Sequence, residues 1–122
     1  MFSSRAQISA RSSTVWRWLT DTQLWPQWGP SVRAVEYPTR FIGPNGEGRV
    51  QATAGFWLPF QITHWEQGRA WSWRVAGVRA TGHRVRPVTH DSCELTFTVP
   101  AWAPFYLPVC TIAIRRISGL AR

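Results

Sequence analysis

Residues 92–122 read SCELTFTVPAWAPFYLPVCTIAIRRISGLAR, and two different periods follow one another within them. From Ser92 to Val99 the period is two: Glu94, Thr96 and Thr98 fall on one face, Cys93, Leu95, Phe97 and Val99 on the other. Side chains alternate across a strand, so this is a half-buried strand with an apolar inner face. Beyond it, Leu107, Cys110, Ile114, Ile117 and Ala121 recur at the spacing of one helical face. Arg115, Arg116 and Arg122 lie toward the C-terminal end of that helix, where cations complement its dipole. Pro104 and Pro108 are tolerable near its start, the second marking a kink or the true beginning.

Upstream, residues 32–100 read as short strands near 32–40, 48–58, 60–66, 70–77, 79–88 and 92–100, with no sustained helical period between them. Pro59, Gln67-Gly68, Gly77 and His90-Asp91 divide them, which implies an antiparallel meander. Gly43-Pro44-Asn45-Gly46 carries an Asn-Gly pair suited to two positive-φ positions and is expected to join the first two strands. Earlier still, Phe2, Ala6 and Ile8 alternate with Ser3, Arg5, Gln7 and Ser9 in an opening strand. Ser12 or Ser13 then caps a short helix carrying Val15, Trp16 and Leu19. Asp21 caps a second turn with Leu24, Trp25 and Trp28, where Pro26 sits near the start and Gly29-Pro30 ends it. The fold class is α+β: about seven antiparallel strands, two short helices after the first strand, and a long C-terminal helix.

A chain of 122 residues is long enough for one core, so a single domain over 1–122 is expected. Its 44% hydrophobic and 16% charged residues exclude a disordered tail. Nine Trp, six Phe and two Tyr are more rings than a small interior readily absorbs, so some are expected to line a cavity or a surface patch. For any single Trp, filling the core is the default. The net charge is +8, and every basic residue is Arg, with no Lys, as a coding bias would give. A basic excess admits nucleic acid or an anionic membrane surface as partner. The arginines are scattered, though, with only Arg84/Arg86 and Arg115/Arg116 approaching clusters, and no nucleic-acid motif accompanies them. A solvated face is the reading, and nucleic acid is not an expected partner.

Cys93 and Cys110 are too far apart for a metal or redox motif and read as buried thiols. The three His residues add no metal spacing, so neither a metal nor a cofactor is expected. The first residues lack the pattern of a signal peptide, and the apolar run from Leu107 to Ile114 is far short of the roughly 20 residues that span a bilayer. A cytoplasmic monomer or homodimer is expected.

The order strand, two helices, six-strand meander and closing helix resembles the START/Bet v 1-like superfamily, also called SRPBCC or polyketide cyclase/dehydrase-like. The resemblance rests on Ser9-Ala10 with Val15-Trp16 and Leu19-Thr20-Asp21, on Trp25, Trp28 and Pro30, on Ile42-Gly43-Pro44 with Glu47-Gly48, and on Trp71-Ser72-Trp73-Arg74-Val75. It spans nearly the whole chain and is a pattern, not a catalytic fingerprint. It implies a helix-grip fold, a curved sheet wrapped around the last helix, with a cavity between them for a sterol, lipid, polyketide, hormone or quinone. A minority of members catalyse cyclisation or dehydration.

Strand phase then assigns the inner face wherever Arg or Glu marks the outer one. Val50, Ala52, Ala54 and Phe56 point inward opposite Arg49, Gln51 and Thr53, and Trp71, Trp73 and Val75 point inward opposite Ser72 and Arg74. Arg84 and Arg86 oblige Thr81, His83 and Val85 to face in. The expected pocket wall is Val50, Ala52, Phe56, Trp71, Trp73, Val75, His83, Leu95 and Phe97, with Cys110 and Ile114 from the helix. His83 is its polar group, and satisfaction by a backbone carbonyl or buried water is favoured over ligand contact. His64 shares a face with Phe60 and Ile62, but Trp65 competes for the inside; Glu36 either stands at the mouth or pairs with an Arg.

Three functions follow from these readings. Binding of a small apolar ligand, for transport or sequestration, comes first. A cyclase/dehydrase-like enzyme would use His83 as general acid or base, with Glu36 or His64 as its partner. A docking module would use Trp102, Phe105 and Tyr106 with nearby arginines against an anionic membrane surface or a protein; packing of 101–108 over the sheet's open end is the plainer alternative.

Overall fold

A computed structural model describes residues 2–122. Seven strands run β1 Phe2–Ile8, β2 Val32–Glu36, β3 Glu47–Ala52, β4 Trp57–Glu66, β5 Ala70–Val75, β6 Val78–Thr89 and β7 Ser92–Val99. They form one antiparallel sheet in the order β1-β7-β6-β5-β4-β3-β2, so the opening strand closes against the last one. Helix α1 (Ser12–Thr20), a 3-10 turn (Thr22–Leu24) and α2 (Trp25–Trp28) follow β1, and α3 (Leu107–Leu120) ends the chain.

The alternation in β7 is realised in full: Cys93, Leu95, Phe97 and Val99 are all buried. Helix α3 lays Cys110, Ala113, Ile114 and Ile117 against this inner face, and the Ser4 and Thr111 hydroxyls, 3.0 Å apart, tie it to β1. Pro108 stands in its first turn, where a missing N–H costs nothing, so it marks the beginning of α3 at Leu107. Neither expected cap holds: both Ser12 and Ser13 lie inside helix α1, Arg11 occupies the N-cap position, and no side chain caps it. Asp21 does cap, accepting the Gln23 N–H at 3.0 Å while Arg40 reaches its other oxygen at 2.8 Å.

Three local features depart from the expected strand map. Pro59 does not divide two strands but lies inside β4. Its carbonyl accepts the Ala76 N–H just beyond the end of β5, so the N–H that proline lacks falls where the β4–β5 ladder runs out. Asn45 alone has positive φ in the 43–46 turn, with Pro44 before it and the Gly46 N–H on the Gly43 carbonyl, a type II turn. That turn sits within a longer excursion over 37–46, anchored to the end of α1 by Ile42 N–H on the Thr20 carbonyl. Finally, register shifts at Val32/Ala34, Ile62/His64 and Ser72/Arg74 mark bulges that alter strand phase locally.

Candidate ligand cavity

The interior between sheet and α3 is mostly filled by rings from the short helices. Trp25 stacks on Trp71 with centroids 5.5 Å apart, and Trp28 meets Phe97 edge-on at 5.7 Å. Their indole N–H groups donate to the Leu19 and Trp18 carbonyls, so the bulk is buried at no polar cost. Empty space is displaced to one end of the sheet, beneath residues 99–106 that lead into α3.

A chamber of about 270 Å³ opens there. Val50, Ala52, Trp73 and Val75 form its sheet wall, as strand phase predicts, and Trp102, Phe105 and Tyr106 form its rim. An inner chamber of about 40 Å³ adjoins it, lined by Trp71, His83, Phe97 and Cys110 among others. Ser31, Val32, Trp73, Thr81 and Tyr106 line both, so they form the neck between the two. The expected wall therefore divides between two chambers. Leu95 and Ile114 line neither and belong to the packed core.

Phe56 is a correction. It is 59% exposed, because β3 ends at Ala52 and the chain turns at 53–56 before β4, so strand phase does not extend to it. Ala54 lies in the same exposed turn. The rim was read as a docking element but not as pocket wall; its signal was the Trp-Ala-Pro-Phe-Tyr run outside any regular period.

His83 sits at the centre of an aromatic cage, stacked on Trp71 at 3.9 Å and edge-on to Phe97 at 4.7 Å. Its Nδ1–H donates to the Trp71 carbonyl at 3.2 Å, which leaves Nε2 to accept from the Thr81 hydroxyl at 3.0 Å. Thr81 in turn accepts the Trp73 indole N–H at 3.0 Å. Burial, only partly opposed by the carbonyl, lowers the His83 pKa from 6.5 to about 3. The ring is neutral at physiological pH with both nitrogens occupied.

Neither expected acid-base partner reaches it. The bulge after Ile62 turns His64 outward, where it pairs with Glu66 at 2.8 Å beside Arg84, and Trp65 takes the inner side. Glu36 is exposed and ion-paired with Arg49 on the outer face. Cys110 adds no nucleophile, since burial raises its thiol to about 11. Cys93 and Cys110 are both buried and free. No Asp, Glu or Arg lines either chamber, and no group of three or more His, Cys, Asp or Glu is placed to hold a metal among the described residues.

A family model described as "Polyketide cyclase / dehydrase and lipid transport" matches residues 1–118. The chain belongs to this family. Solved structures carry the same fold at low identity, as in a START/Bet v 1-like helix grip. A hypothetical protein from Helicobacter pylori superposes with a TM-score of 0.78 at 10% identity, over 98% of this chain and 86% of that one. The Zhui aromatase/cyclase from Streptomyces sp. R1128 gives 0.72 at 13%, over 98% and 92%. Ara h 8.0201 gives 0.64 at 12%, over 98% and 96%. No functionally curated protein matches the sequence. At these identities the likeness establishes the fold, and membership of the cyclase/dehydrase and lipid transport family brings with it a hydrophobic-ligand or cyclase role without naming the ligand.

Proposed function

We propose that this chain binds a small hydrophobic ligand in the chamber at the open end of its sheet, and carries or sequesters it. The observation that carries the reading is a cavity of about 270 Å³ with no charged side chain in its wall. Apolar burial is then the chief attraction available to a ligand. The volume lies just under the ~300–1,000 Å³ of common ligand sites, which favours a compact ligand or a chain only partly inserted.

A cyclase reading is less well supported, because proton transfer needs a group with a free position near the reacting atom. His83 spends both nitrogens inside the protein, and its two candidate partners lie on the outer face.

A second element is favoured by the rim. Trp102 and Phe105 are 56% and 71% exposed, a high cost in water for rings that guard an apolar cavity. Arg33, Arg74 and Arg79 are immediate chain neighbours of lining residues and make no ion pair among the described residues, and none of the six acidic residues adjoins a lining position. This charge asymmetry suits an anionic bilayer as the surface from which ligand is collected.

Native mass spectrometry of the purified protein, paired with Trp fluorescence titration by apolar probes, tests the main reading. A bound mass, or saturable quenching that Ala52→Trp abolishes by filling the chamber, is expected. Saturation that survives in a folded Ala52→Trp variant would move the site elsewhere.

A further inference from the structure

We infer that the hydroxyl pair Ser31–Tyr106, at the neck between the two chambers, is a donor site for the oxygen of a neutral, otherwise apolar carbonyl ligand such as a ketone or quinone. The inference rests on the ligand-binding reading above and adds the chemical class.

Proton counting carries it. Two hydroxyls hold two O–H protons, and the bond between Ser31 Oγ and Tyr106 Oη uses one of them. Neither oxygen has another partner among the described residues, so one proton is unspent in a wall that both chambers share. The other side-chain donors around the neck are committed: Trp73 to Thr81, Thr81 to His83, His83 to the Trp71 carbonyl, and Trp102 to the Arg79 carbonyl. Trp71 Nε1 is a second exception, a buried donor in the inner wall with no partner. Ser31 and Tyr106 are half-buried and Trp71 is buried; once a ligand displaces solvent from the neck, a donor left unpaired is costly, so a ligand that brings an acceptor gains where a hydrocarbon does not.

The same walls exclude a charged acceptor. No Arg lines either chamber despite the net charge of +8, so a carboxylate entering the neck would lose its hydration without gaining a counter-charge. Burial also raises the Tyr106 pKa, which keeps the phenol protonated and able to donate.

Three probes of nearly one shape separate the possibilities: 2-isopropenylnaphthalene, 2-acetylnaphthalene and 2-naphthoate, with affinities measured by ligand-observed NMR at neutral pH. The ketone is expected to bind, with its methyl showing NOEs to the Tyr106 ring, and naphthoate to bind more weakly than the ketone. Ser31→Ala or Tyr106→Phe alone leaves one hydroxyl and one free proton, so the double variant is the informative one. In Ser31→Ala/Tyr106→Phe the ketone-to-hydrocarbon affinity ratio should fall about fivefold, the worth of one neutral hydrogen bond, with hydrocarbon binding retained. An unchanged ratio in the folded double variant overturns the donor site while leaving the cavity reading intact. Naphthoate binding as tightly as the ketone overturns it on wild-type protein alone, whatever the variant's stability. Failure of both neutral probes to bind overturns the inference and the ligand-binding reading together.

Discussion

His83 shows how far a single residue can be read from sequence. Its inward direction was legible because Arg84 and Arg86 flank it, and the structure buries it as that phase requires. Thr81, two residues before it on the same face, was a legible neighbour; Trp73 and the Trp71 carbonyl were not, since they reach Thr81 and His83 only through pairing of β5 with β6. The arrangement has a thermodynamic signature. The folded pKa of about 3 lies below the ordinary 6.5, so between those values the unfolded chain holds a proton that the folded chain does not. Stability should therefore fall as pH drops through that window, by roughly 1.4 kcal/mol per unit for this one group. Denaturant melts from pH 7 to pH 4.5, compared between wild type and His83→Gln, isolate the term; the variant's slope should be shallower by about one proton. Parallel slopes would mean that the ring titrates normally and is wetter than its cage implies. Thr81→Val should be costly at every pH, by about 1–3 kcal/mol, because it strands both the Trp73 N–H and His83 Nε2.

At the level of elements, period and turn chemistry set the number and order of the strands and the three α-helices but put the β3–β4 division at Pro59, when it lies at 53–56, and bulges decided which side chains changed sides. His64 follows the inward set Phe60 and Ile62 by simple alternation, yet one extra residue at the bulge sends it out to Glu66. No sequence signal distinguishes Thr63 as that residue, because a bulge is set by the partner strand as much as by its own. Phe56 failed for a related reason: alternation continued on paper past Ala52, where the ladder stops. Gly48 illustrates the reverse, a local choice imposed by neighbours. A Cβ there would lie 2.5 Å from the Glu36 carbonyl oxygen and 2.8 Å from the rings of Phe60 and Tyr37, which stack over it with centroids 5.9 Å apart. Since a backbone carbonyl cannot rotate away, Gly48→Ala must separate β2 from β3 or unstack the rings. A loss of about 1–3 kcal/mol is expected in chemical denaturation, the usual cost of overpacking. A neutral result would show that β2 yields freely at this edge of the sheet.

Over the whole molecule, seventeen Trp, Phe and Tyr rings imply a shortage of room, and strand phase places Trp71 inside, but no period in the sequence tells how far Trp25 and Trp28 reach into the grip. Trp25, Trp28 and Trp71 fill it, pushing the cavity to the end of the sheet, while Trp102 and Phe105 are left at its entrance in edge-on contact 6.4 Å apart. Arg74 and Arg79 face each other across β5 and β6 near that entrance, a like-charge pairing that an isolated protein gains nothing from. An anionic bilayer would relieve it. Three arginines at such a surface are worth on the order of 3 kcal/mol together, and the attraction decays within a Debye length of about 10 Å at 0.1 M salt. The protein should therefore sediment with phosphatidylglycerol-containing vesicles, much less with pure phosphatidylcholine, and come off as salt is raised. Arg74→Ser/Arg79→Ser should weaken the charge-dependent part, whereas Trp102→Ser/Phe105→Ser should remove the salt-resistant residue of binding and leave uptake of a soluble probe intact. If the aromatic variant sediments like wild type, the rim rings serve the cavity alone and charge carries the lipid contact; if wild type ignores phosphatidylglycerol, the excess positive charge is a solvated surface with no lipid to meet.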